Sequence, residues 1–178
     1  MARTGMSAAR VGHQLHLLRH AKSSWDDPGL ADHDRPLSAR GRKAAKRLAR
    51  VIDAEGVRPQ LVLCSPAVRA TQTLERVLDA LGSPEVRLDE ALYHASAEGL
   101  LSRVHAIPED VSDAVVIGHN PGLAELCLLL ARPGAHRDRI AGNLPTGAFA
   151  TLAADTSSWE GLDAGSAHIV RLLLPREL

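Results

Sequence analysis

Two arginines and two histidines stand just after short apolar runs of the kind that form buried strands. Arg19 and His20 follow one such run, Arg69 lies a few residues after a second, and His119 follows a third. Arginine presents a planar fork of N–H donors that pairs with the oxygens of a phosphate group. If the three runs are neighbouring strands, these four side chains form one positively charged pocket that suits a phosphoryl group.

Phosphate chemistry in such a pocket needs no metal, because a neutral imidazole is itself a nucleophile toward phosphorus. Attack forms a phosphohistidine that water then hydrolyses, while the arginines and the second histidine neutralise charge on the transferred oxygens. The sequence has no Gly-rich loop ending in Gly-Lys-Ser/Thr and no carboxylate cluster with magnesium spacing. His13 and His16 form an H-x-x-H pair, but this spacing on a strand places them on opposite faces. We therefore predict neither a metal nor a cofactor.

The elements that must position these residues alternate between strand and helix patterns. Strands are predicted at Leu15 to Leu18, Leu61 to Cys64, Val86 to Leu88, Ala114 to Ile117, Gly147 to Leu152 and His168 to Leu174. Helix starts are predicted at Ser38, Ser65-Pro66, Ser96 and Asn120-Pro121. This order predicts an α/β three-layer sandwich with a mostly parallel central sheet and helices on both faces. Sites in such sheets lie at the carboxyl ends of strands, where the two arginines and two histidines are expected.

Composition restricts the function classes further. The 178 residues fit a single domain, predicted at residues 14–178 behind a flexible N-terminal tail at residues 1–13. Net charge is zero and aromatic residues make up 2%, so neither a polyanion-binding field nor base-stacking platforms are expected, and no nucleic-acid partner is predicted. No apolar run has the length of a membrane span. We expect a cytoplasmic protein without a membrane partner, either a monomer or a weak oligomer.

Six segments in this order resemble the histidine phosphatase superfamily, which has the phosphoglycerate mutase-like fold, and within it the small SixA type of phosphohistidine phosphatase. They are LLRHAKSSW at 17–25, RPLS at 35–38 with Gly41, SPAVRATQT at 65–73, Glu90 to Tyr93, GHNPG at 118–122 and PTG at 145–147. Together they extend over most of the chain between about Leu15 and Leu152.

The resemblance implies roles for individual residues. His20 is expected to be the nucleophile, Arg19 and Arg69 phosphate ligands and His119 the second histidine of the pocket. Glu90 stands where mutase-type members carry their general acid, so the resemblance implies that it protonates the leaving group. The alternative interpretation, nearly as well supported, is that Glu90 is an ordinary solvated loop carboxylate. Two positions depart from the usual pattern. Ala21 replaces a glycine, and Asp26 replaces an asparagine that binds phosphate, so Asp26 is given no role.

The sequence is compatible with several substrates and activities. The substrate that the resemblance suggests is a phosphohistidine on another protein, but small phosphoesters would also fit an uncovered pocket. A phosphoglycerate mutase-like phosphotransferase is a rival that the short chain disfavours. A non-catalytic phosphate-binding module is a second rival, and retention of both histidines and both arginines argues against it. The basic residues between Arg40 and Arg50 read as the solvated face of a helix, with guidance of an acidic partner as the alternative.

Overall fold

The computed structural model describes residues 12–140 and 143–178 and builds a six-stranded sheet with helices around it. The strands are β1 (Gln14–Arg19), β2 (Leu61–Cys64), β3 (Glu85–Leu88), β4 (Asp113–Gly118), β5 (Phe149–Ala154) and β6 (Ala167–Leu173). The helices are α1 (Ala39–Ala54), α2 (Val68–Val77), α3 (Ala97–His105), α4 (Gly122–Leu130) and α5 (Ala135–Ile140). Short 3-10 turns lie at Asp32–Asp34, Asp79–Leu81 and Glu90–Leu92. All six predicted strands are confirmed, whereas α5 and the first and third of these turns were not predicted.

The sheet is mostly parallel, as predicted. Its strand order is β3-β2-β4-β1-β5-β6, and β3, β2, β4 and β1 run parallel while β5 and β6 are antiparallel to their neighbours. Arg19 at the end of β1 pairs with Gly118 at the end of β4, and Cys64 at the end of β2 pairs with Ile117. The carboxyl ends of these three strands are therefore level, and the residues that follow them meet at one edge.

Successive side chains along a strand point to opposite faces of the sheet and pack into two separate hydrophobic clusters, one on each face. This arrangement produces the predicted three layers. On one face, Leu18 packs in a cluster with Leu48 of α1 and Leu74 of α2. On the other face, Leu17 belongs to a cluster with Leu123 of α4. Each fully buried leucine contributes about 1.5–3 kcal/mol to folding. The strands that carry the site are thus fixed from both sides.

Two of the four predicted helix starts are confirmed, and the other two were predicted too early. Ser38 does cap α1, since its Oγ accepts the Gly41 N–H at 3.0 Å. In contrast, α2 begins at Val68 and α4 at Gly122, both without a side-chain cap. The predicted caps Ser65 and Asn120 instead direct their side chains to other residues of the site, as described below. Ser96 caps α3 as predicted.

The N-terminal boundary also differs from the prediction. Residues 1–11 of the predicted tail lie outside the described residues. His13, however, is only 6% exposed, its ring packs edge-on against Trp159 with centroids 4.5 Å apart, and its carbonyl accepts the Ala154 N–H. The predicted tail is therefore too long at its C-terminal end. Among the described residues, no helix is long and apolar enough to cross a membrane.

Candidate active site

Arg19, His20, Arg69 and His119 line one cavity of about 390 Å³ at the carboxyl edge of the parallel strands. Backbone pairing continues for one residue past the strands, because the His20 N–H donates to Gly118 O at 3.1 Å. The structure thus brings the four predicted residues together. Glu90 is not among the residues that line this cavity.

The His20 ring is held in one tautomer. Its Nδ1 lies 2.8 Å from the carbonyl oxygen of Ala21, and because a carbonyl only accepts, Nδ1 carries the proton. Nε2 therefore has the lone pair, and the Arg69 Nε–H donates to it at 3.3 Å. Burial lowers the pKa of His20 to about 4, with the Ala21 hydrogen bond opposing and the charges of Arg69 and Arg19 adding to the shift. At neutral pH the side chain is an uncharged base with its nucleophilic nitrogen in the pocket.

His119 faces His20 with ring centroids 5.0 Å apart. Its Nδ1 lies 3.4 Å from an Arg69 Nη2, which can only donate, so Nε2 carries the proton and donates to Ser65 Oγ at 2.7 Å. Burial, followed by the influence of His20 and Arg69, lowers the pKa of His119 to about 3. This explains why Ser65 does not cap α2: its hydroxyl orients the second histidine instead.

Arg69 is held by Asp32, a residue for which no role was predicted from the sequence. One Nη2 donates to the Asp32 carboxylate at 2.9 Å, and Nη1 donates to the Asp32 carbonyl. Tyr93 donates its hydroxyl to the same carboxylate at 2.9 Å, and Arg35 donates at 3.0 Å. Burial raises the pKa of Asp32, but the Tyr93 hydrogen bond and the two arginines outweigh it and lower the pKa to about 2. Asp32 is therefore an ionised anchor that fixes the guanidinium beside His20.

Arg19 is fixed from the opposite side of the cavity. Its Nη1 donates to Leu144 O at 2.8 Å and to Asn143 Oδ1 at 3.3 Å. The Asn120 Nδ2 group donates to the same two oxygens, each at 3.0 Å, so this side chain is directed to the Asn143–Leu144 segment and not to the start of α4. In the described part of the chain the buried Nε of Arg19 has no hydrogen-bond partner. A buried donor without a partner at a functional site is available to a ligand oxygen.

The rim of the cavity comes from the loop between β1 and α1. Trp25 is 74% exposed, and the Arg35 guanidinium lies 3.1 Å from its ring centroid. Arg35 also donates to Ser23 Oγ at 2.6 Å and is itself buried. His94 completes the rim from the segment after β3. The RPLS match pointed to Arg35 without assigning a role, and nothing in the sequence pattern singled out His94.

Glu90 lies in the 3-10 turn Glu90–Leu92 and is exposed. It lines a different cavity, of about 240 Å³, together with Asp89 and Arg103. Asp89 caps this turn by accepting the Ala91 N–H at 3.0 Å, and the turn directs the following residues, not Glu90, toward the four-residue site. The expectation that Glu90 is the acid of the cavity is thus corrected, and Tyr93 contacts Asp32 from this segment instead.

No group of three or more His, Cys, Asp or Glu side chains in residues 12–140 and 143–178 is arranged to hold a metal ion. Of the H-x-x-H pair, His16 uses both ring nitrogens, on Thr151 Oγ1 at 2.9 Å and Asp113 Oδ1 at 2.6 Å. Its ring is therefore a structural link between strands.

A family model described as the histidine phosphatase superfamily (branch 1) matches residues 15–113. The chain belongs to the histidine phosphatase superfamily. An uncharacterized protein of Mycobacterium tuberculosis (strain ATCC 25618 / H37Rv) is 34% identical over 163 residues, which cover 89% of this chain and all of that one. Phosphohistidine phosphatase SixA of Escherichia coli (strain K12) is 33% identical over 121 residues, or 64% of this chain and 74% of that one.

The solved structures agree with this membership. The structure of the protein histidine phosphatase SixA complexed with tungstate matches with a TM-score of 0.75 and 25% identity, over 92% of this chain and 98% of that one. The fold is therefore that of the phosphoglycerate mutase-like histidine phosphatases, and the protein is a phosphatase of the hydrolase class with SixA-type relatives.

Proposed function

We propose that this histidine phosphatase is a phosphohistidine phosphatase that transfers the phosphoryl group first to His20 and then to water, without a metal ion. The Nε2 lone pair of His20 attacks phosphorus, and the bond from phosphorus to the substrate's nitrogen breaks, with its electron pair going to that nitrogen. Water then attacks the phosphoryl group, the bond to Nε2 breaks and phosphate leaves. Arg19, Arg69 and His119 surround the transferred oxygens throughout.

The observation that carries the proposal is the combination of a neutral nucleophile with cations and no protonated carboxylic acid. Asp32 is the one carboxylate among the described residues that line the cavity, and its pKa of about 2 leaves it ionised at neutral pH. An alkyl phosphate has a strongly basic leaving oxygen that needs a proton donor. A phosphohistidine can carry a proton from solvent on its second ring nitrogen near neutral pH, because the pKa of an imidazole is near 6.5, so the ring leaves as neutral imidazole.

The architecture around the cavity supports hydrolysis over phosphotransfer. The segment 89–112, which connects β3 to β4, contains only one 3-10 turn and α3 as regular structure. A mutase must shield its phosphorylated histidine from water while it holds the product, and this connection is short for that purpose. The tungstate in the related SixA structure is a tetrahedral oxyanion, which is the shape that the cavity is proposed to bind.

Two peptides of the same sequence, one with phosphohistidine and one with phosphoserine, test the proposal in buffer with EDTA. We expect kcat/KM for phosphohistidine to exceed that for phosphoserine by at least about 100-fold, since a general acid is worth that much to the poorer leaving group. The His20→Asn protein serves as the control for spontaneous hydrolysis. Equal or faster cleavage of phosphoserine would contradict the substrate class, and loss of rate in EDTA would contradict the metal-free mechanism.

A further inference from the structure

A second basic cavity of about 440 Å³ lies beside the proposed catalytic one. The two cavities share Lys22 and Thr146, which line both. The second cavity is enclosed by α1, by the PTG turn at 145–147 and by the segment after β6. A group bound there is thus in reach of the same substrate molecule.

Thr146, which lines both cavities, lies in the tight turn at 145–147. Gly147 has φ of +80°, a conformation that favours glycine, and its N–H donates to the carbonyls of both Arg19 and His20 at 3.0 Å. A side chain at this position would meet Pro175 at 3.2 Å and the backbone of Ala21 at 3.8 Å. The turn therefore lies between the residue after the proposed nucleophile and the C-terminal segment, which fixes the position of Thr146.

The charges of the second cavity all have one sign. Its lining includes Lys22, Arg40, Arg139 and Arg176 and no carboxylate. Arg139 is paired with Glu177 at 2.5 Å, whereas the other three cations make no ion pair with any described residue. Because the whole chain has no net charge, this is a local concentration of positive charge next to a site for an anion.

We propose that this cavity binds a second anionic group of the substrate while the first, the phosphoryl group, lies at His20. Arg40 and Arg176 are the cations that recognise it, and Lys22 joins the two cavities. This inference rests on the proposed function. The second anion is a carboxylate beside the phosphorylated residue of a protein or a second phosphate of a small molecule, and both present the same chemistry to these cations.

A second basic surface on α1 provides a matched control. Lys43 and Lys46 line a groove with Arg42 and Arg76, and none of its lining residues belongs to the catalytic cavity. Substitution of Lys43 and Lys46 by glutamine removes two positive charges, the same number as substitution of Arg40 and Arg176. The two double variants therefore separate a local contact from a general electrostatic effect.

The test uses two pairs of substrates with the full-length protein. One pair is a phosphohistidine peptide flanked by two glutamates and the same peptide flanked by two glutamines. The other is an alkyl phosphate that ends in a second phosphate and one that ends in a hydroxyl. We expect at least one pair to show about 10-fold higher kcat/KM for the member with the second anion, mainly through KM, because this contact is the same before and during the reaction.

The Arg40→Gln/Arg176→Gln variant should abolish that preference and leave p-nitrophenyl phosphate turnover unchanged, while Lys43→Gln/Lys46→Gln should retain the preference. A preference within the peptide pair identifies the second anion as a carboxylate of a protein substrate, and a preference within the alkyl phosphate pair identifies it as a phosphate of a small molecule. The inference is overturned if neither pair shows a preference, if the preference survives in the arginine variant, or if the lysine variant removes it equally. Cleavage of the glutamine-flanked phosphohistidine peptide that requires His20 shows in the same assays whether the proposed function itself holds.

Discussion

His16 on β1 and His20 just after it are both buried, but their ring nitrogens have different hydrogen-bond partners. His16 is 1% exposed, and both of its ring nitrogens have close partners, Thr151 and Asp113. His20 is 7% exposed, and its Nδ1 is bound to a carbonyl while its Nε2 faces only an arginine donor in an open cavity. Burial alone therefore does not distinguish a structural from a reactive imidazole. The difference lies in whether the second nitrogen is left with a lone pair that a ligand can reach.

The largest effect should separate these two histidines directly. His20→Asn is expected to lower kcat for p-nitrophenyl phosphate by about 10⁴-fold or more, because it removes the nucleophile. His16→Asn should change kcat of the folded protein by less than about 2-fold but lower the free energy of unfolding by about 1–3 kcal/mol, since it disrupts buried hydrogen bonds. Steady-state kinetics and urea denaturation measure the two quantities. A comparable loss of kcat in both variants would contradict the assignment of His20 as the nucleophile and His16 as a structural residue.

A second prediction concerns the arginine that contacts His20 Nε2. Arg69→Gln should lower kcat by about 10²–10³-fold, because one preorganised charge on the transferred oxygens is lost. Arg103 is the matched control: it pairs with Asp89 at 2.6 Å beside the separate cavity that contains Glu90. Arg103→Gln should leave kcat within about 2-fold of the wild type. An equal loss in the two variants would mean that the effect on kcat is one of general stability.

The smallest predicted effect is on acid stability. Because the pKa of His20 is about 4 in the folded state and near 6.5 when unfolded, only the unfolded chain takes up this proton between these values. The free energy of unfolding should therefore fall as pH drops through that window. His20→Asn should retain roughly 2 kcal/mol more of its stability than the wild type on going from pH 7 to 4.5. Urea denaturation at both pH values measures this, and identical losses would contradict the low pKa.

The features that the sequence predicted well are those set by local pattern and strand topology. The apolar runs before Arg19 and His119 are periodic enough to identify strands, and parallel strands bring their carboxyl ends to one edge. The four central residues of the site follow from that geometry alone. The cap of α1 was also predictable, because Ser38 Oγ can accept the nearby Gly41 N–H while its own hydroxyl proton goes to Lys22 O.

What the sequence could not predict depends on contacts between distant segments. Ser65 has the sequence pattern of a helix cap, yet its hydroxyl binds His119, which is 54 residues away. Asp32 lies in a polar loop with ordinary turn composition, and its contacts with Arg69 and Tyr93 arise only when three segments meet. Glu90 was placed by family position, whereas the local turn that Asp89 caps decides where it lies.

We expect His20 to become phosphorylated during turnover. Rapid mixing with a phosphohistidine peptide, alkaline quenching and peptide mass spectrometry test this directly in the wild type, His16→Asn and His20→Asn. We predict an acid-labile phosphoryl group on residue 20 in the first two proteins and none in the third. A phosphoryl group on another residue, or turnover without any phosphorylated enzyme when hydrolysis of the intermediate is slowed by low temperature, would contradict a role of His20 as the nucleophile.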